Sequence, residues 1–101
     1  MEYVCFIKRE NARKAEEALR KDFDIAARQS ITIRDASALG IEAGADGSIF
    51  LISGSDAGVS KCKELLKEFI FSVDPKILEQ ANKKIQEEAD AAASGVGGIF
   101  G

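Results

Sequence analysis

Two short segments of this chain are apolar on both sides, and this constrains the fold more than any other feature of the sequence. Side chains alternate along a strand, so in Glu2–Lys8 the residues Tyr3, Cys5 and Ile7 point one way and Val4 and Phe6 the other. In Ser48–Ser53, Ile49 and Leu51 oppose Phe50 and Ile52 in the same manner. A strand of this kind must be shielded from water on both faces, so both segments read as central strands of a sheet.

The rest of the chain must supply the cover. Asn11 is placed to cap a helix running to about Asp22, with Ala12, Ala15, Leu19 and Phe23 as its apolar stripe. Its outer face carries the acid-before-base pairs Glu16–Arg20 and Glu17–Lys21, each worth a few tenths of a kcal/mol at most. Between Ile25 and Ala43 the residues Ile31, Ile33, Leu39, Ile41 and Ala43 share parity, with Arg34–Ser37 interrupting them; two strands joined by a turn, or one strand with an irregular end, are expected, the first being preferred. Gly44–Ala45–Asp46–Gly47 is a turn, since Asp-Gly tolerates the positive φ of tight hairpins.

After Gly54–Ser55–Asp56 a helix is predicted through Val59, Cys62, Leu65, Leu66, Phe69, Ile70 and Val73. Asp74 and Pro75 then stop it and open another, with Asp74 as N-cap and Pro75 in the first turn. Val73 and Leu78 stand at the spacing of a hydrophobic staple. The last helix carries Leu78, Ala81, Ile85 and Ala89 on an otherwise polar surface. Residues 94–101 are rich in glycine and read as a mobile tail in which Ile99 and Phe100 are the apolar exceptions.

The expected fold is α+β: a three- or four-stranded, mostly antiparallel sheet with helices packed on one face. The order is β-α-β-(β)-β-α-α, ferredoxin-like by analogy, with residues 1–93 as a single domain. A chain of 101 residues with 46% apolar and 31% charged content has the composition of one ordinary globular domain. Its two cysteines, Cys5 and Cys62, fall on predicted core faces far apart, so neither a disulfide scaffold nor a zinc site is indicated. Met1–Glu2 opens without the basic residues of a signal peptide, and no stretch approaches the ~20 apolar residues of a membrane span. A cytoplasmic protein without a membrane association is expected.

Enzyme chemistry finds little support. There is no histidine, the commonest general base and metal ligand. The cysteines read as small core hydrophobes, and Asp35, Glu42 and Asp46 as turn acids whose spacing matches no metal loop. No cofactor is expected. The leading expectation is a non-catalytic interaction or regulatory domain, self-associating as a homodimer through a second apolar sheet face bearing Val4, Phe6, Phe50 and Ile52, or through a strand edge. The alternative is an RNA- or anion-binding module built from Lys8, Arg9, Arg13 and Lys14 together with the Gly54–Ser55 turn before the second main helix. A net charge of −3 weighs against broad affinity for nucleic acid. Docking of the tail into a protein partner through Ile99 and Phe100 is a third expectation.

Overall fold

Strands β1 (Glu2–Lys8), β2 (Ser30–Asp35) and β3 (Gly47–Ser53) form one antiparallel sheet in the order β1-β3-β2. Both outer strands run antiparallel to β3 and hence parallel to each other, so helix α1 (Arg9–Lys21) is the crossover of a split β-α-β unit. A single 3-10 turn, Ala26–Arg28, leads into β2, and helices α2 (Asp56–Leu66) and α3 (Pro75–Phe100) follow the sheet. This computed structural model describes the backbone of residues 1–100 and the side chains of residues 1–90. The tail expectation, with Ile99 and Phe100, concerns side chains outside the described residues. The α+β class and the element order agree with the sequence reading, with three strands.

The register decides which apolar residues share a face. Val4 lies opposite Leu51, Cys5 opposite Phe50 and Phe6 opposite Ile49. Cys5, Ile7, Phe50 and Ile52 therefore join Ala15, Leu19, Val59, Cys62 and Leu66 beneath α1 and α2. Phe6, Ile49 and Leu51 form a second core with Ala36, Leu39, Ile41, Ala81 and Ile85, which puts α3 and the β2–β3 connection on the opposite face. The sequence reading packed helices on one face; the structure keeps α1 and α2 there and sets α3 on the other, so the sheet is covered on both. It also corrects the grouping of Val4, Phe6, Phe50 and Ile52. Paired residues on neighbouring strands point the same way, so Val4 and Phe6 go with Ile49 and Leu51, not with Phe50 and Ile52.

Polar contacts pin α3 across the sheet. The Lys84 ammonium donates to the Leu39 carbonyl at 2.6 Å, Arg34 Nε to Glu88 at 3.2 Å, and Gln86 Nε2 to Glu2 at 3.0 Å. The helix starts as its sequence predicts: Asp74 Oδ1 accepts from the Lys76 amide at 2.9 Å, and Val73, Ile77 and Leu78 pack on the second core. By contrast, α2 ends at Leu66, seven residues before its apolar periodicity does. Ile70 leaves the helix to bridge Ile7 of β1, and Phe71 donates its amide to the Phe6 carbonyl at 2.9 Å. A strand edge in need of partners has outcompeted another helical turn.

Of the two readings of this stretch, one strand with an irregular end is the one found and the preferred second strand is absent, because Ala36–Leu39 turn helically. The Ile41 amide reaches back to the Ala36 carbonyl and the Gly40 amide to Ser37, with Gly40 at φ 71°. This is a Schellman closure, in which glycine supplies the left-handed residue. It buries Leu39 and Ile41 under α3 from an irregular segment. α1 begins at Arg9, two residues ahead of Asn11, and Phe23, expected in its stripe, lies beyond its end at 76% exposure.

Candidate functional site

Along the outer edge of β2, backbone groups lack partners among the described residues. The Ala36 amide donates to the Gly47 carbonyl at 3.0 Å, so alternation turns the backbone groups of Ser30, Thr32 and Arg34 toward β3. Those of Ile31, Ile33 and Asp35 turn outward. The Ile33 carbonyl accepts from Arg34 Nη1 at 3.0 Å, and the Asp35 carbonyl from the Ala38 and Leu39 amides. The Ile31 amide and carbonyl and the Ile33 amide have no partner among the described residues. β1 differs, since Ile70 and Phe71 occupy the C-terminal half of its outer edge.

Side chains around the β2 edge are apolar for an edge strand. Ile31 and Ile33 pack against the first core but stay half-exposed, and Thr32 sits half-exposed on the α3 side. A small cleft of about 170 Å³ opens between α1 and β2, lined by Glu16, Leu19, Arg20, Ala27, Gln29 and Ile31. Phe23 and Ile25, two of the most exposed large apolar side chains, precede the 3-10 turn that leads into this strand. Charges at the strand's C-terminal end are engaged locally. Asp35 Oδ1 accepts from the Ser37 amide at 3.0 Å and hydroxyl at 2.9 Å, while Arg9 stands 3.6 Å from Oδ2. The Ser37 hydroxyl and amide, with the Arg9 charge, hold the Asp35 carboxyl below the usual range. Asp35 thus closes the strand with an Asx turn. Glu42 and Asp46 line the adjoining open depression of about 590 Å³ with it.

The sequence-predicted site residues are not assembled. Phe6, Phe50 and Ile52 are fully buried within the chain, and Val4 is half-buried against the α3-side core, so the four present no common surface. The anion-site residues lie at opposite ends of the sheet. Gly54 pairs with Met1 before β1 begins, while Lys8 ends that strand about 20 Å away. Lys8 stands 3.9 Å from Glu10 and 4.7 Å from the Phe71 ring centre, Arg13 stands 3.7 Å from Glu17, and Lys14 is exposed on the helix. Ser55 caps α2 by accepting from the Gly58 amide at 3.1 Å. Gly54 and Gly58 leave room for the Gln29 side chain, whose amide donates to Ile25 at 2.9 Å and presses on both glycines. A side-chain amide thus occupies the space beside the α2 N-terminus that an anion would need.

Both thiols are buried. Burial pushes Cys5 up to about 12, and burial together with the Asp22 charge raises Cys62, whose Sγ lies 3.8 Å from the Ala26 carbonyl. Burial, then the neighbouring Cys5, also raises Tyr3. Among the described residues no helix is long and apolar enough to cross a membrane. Comparisons of the chain with family models, with curated proteins and with solved structures find no match. Sequence reasoning missed the β2 edge as a specific place, although the shared parity of Ile31 and Ile33 around Thr32 was its signal.

Proposed function

We propose that this chain is a non-catalytic interaction domain that self-associates as a homodimer through the outer edge of β2. The observation that carries the reading is that the Ile31 amide and carbonyl and the Ile33 amide have no partner among the described residues, on isoleucines whose side chains are only half-buried. An edge of β-branched residues with free donors and acceptors is a template for another strand, and strand addition is a recurrent mode of association. The second sheet face, the other surface considered for this role, is filled by α3. Polar side chains that approach one another closely do so as caps, turn bonds and exposed ion pairs, each with a structural role, which favours binding over catalysis. Two buried thiols suit a reducing compartment such as the cytoplasm.

Native mass spectrometry and sedimentation equilibrium of the whole chain test the proposal. A concentration-dependent species of twice the chain mass is the expected result. A monomer at every concentration up to about 100 μM, where weak protein pairs with micromolar Kd are well populated, removes the reading.

A further inference from the structure

Resting on that self-association, we infer that two copies pair their β2 strands antiparallel about a twofold axis at Thr32, extending the sheet from three strands to six. A closed dimer needs a self-complementary patch, and Ile31–Thr32–Ile33 reads the same in both directions. With the axis at Thr32, Ile31 faces Ile33 of the second copy. Each amide of these two residues then meets the carbonyl opposite, because both residues turn their backbone groups outward. The Ile33 carbonyl keeps a second lone pair beyond its bond from Arg34. Thr32 meets Thr32 as a close, non-hydrogen-bonded pair, an arrangement in which threonines pair well.

Registers shifted toward Asp35 are worse. An axis at Ile33 sets Ile31 against Asp35, and an axis at Arg34 sets two guanidinium groups face to face, which like charges disfavour. The Thr32 axis instead separates the two Arg34 residues by four positions, each still beside its own Glu88. It also brings Arg28, which forms no ion pair among the described residues, to the end of the other strand marked by Asp35. This opposition of charge favours a second copy as the occupant.

Cysteine cross-linking reads the register directly. Across a non-hydrogen-bonded pair the Cα atoms lie about 4.5 Å apart, within disulfide range, whereas Ile31 and its own copy would stand about 8 Å apart. Thr32→Cys should therefore link into a covalent dimer on mild oxidation and Ile31→Cys should not; the buried native thiols do not compete. Thr32→Lys and Thr32→Glu should each weaken the dimer at least tenfold, and mixing them should restore a dimer containing one of each. A wild-type monomer would defeat the self-association and this register together. A wild-type dimer in which Thr32→Cys fails to link and Thr32→Lys still pairs would leave self-association standing and overturn the β2 register.

Discussion

Ile85→Ala tests whether α3, rather than another molecule, covers the second face of the sheet. Ile85 is 5% exposed and packs with Phe6, Ile49, Leu51 and Ala81. The substitution removes three carbons, about 2.4 kcal/mol at ~0.8 kcal/mol per buried CH₂. A residual cavity between helix and sheet raises the expected loss to about 3 kcal/mol, within the range of such truncations. For a domain of this size that lowers Tm by roughly 12–24 °C. Urea unfolding followed by circular dichroism, with the exposed Glu87→Ala as control, measures it. The control should move by less than about 0.5 kcal/mol. A loss at Ile85 no larger than the control's would mean that α3 does not seat on the sheet and that the second core is misassigned.

Four further outcomes follow from the packing and the titrating groups. Phe50→Asp should yield an unfolded chain, because the carboxylate would lie at 0% exposure under α1 and α2; a folded variant in size-exclusion chromatography and proton NMR would contradict the register. Gly58→Ala should gain little or nothing alone yet gain about 0.5–1 kcal/mol in a Gln29→Ala background, because the new methyl displaces the Gln29 amide from Ile25; equal effects in both backgrounds in thermal melts would refute that contact. Burial raises the folded-state pKa of Cys5 to about 12, so its contribution to stability is constant below the ordinary thiol range of about 8.5. Stability should then fall as pH rises through that range toward 12, and Cys5→Ala should flatten the alkaline limb; an unchanged limb would show that Cys5 is not its source. Asp35 has a lowered pKa, so its contribution is present above the ordinary carboxylate range and disappears as pH falls through the folded value; Ser37→Ala should raise the Asp35 titration seen by carbon-13 NMR, and no movement would remove Ser37 as the cause.

Local chemistry made much of this fold legible in the sequence. The apolar runs of β1 and β3 and the Asp74–Pro75 start of α3 depend on neighbours within a few residues, and each appears where its pattern placed it. Where a distant partner competes, the local pattern misleads. Ile70 continues the periodicity of α2 but bridges β1 instead, and the Phe71 amide next to it bonds to the Phe6 carbonyl on that strand's edge. Leu39 and Ile41 alternate like strand residues, yet a Schellman turn at Gly40 buries both in α3's core.

The candidate site was less legible for the same reason. Gly54 and Ser55 resemble a phosphate turn until Gln29, from a different part of the chain, fills the space beside them. The sequence by itself determined that β1 and β3 would be covered on both faces, because alternation of side chains is a property of the single strand. Only tertiary structure decided which residues shared a face, that α3 covers the second one, and that β2 has an edge unpaired among the described residues. Register and edge belong to pairs of strands, and one strand's sequence does not contain its neighbour's position.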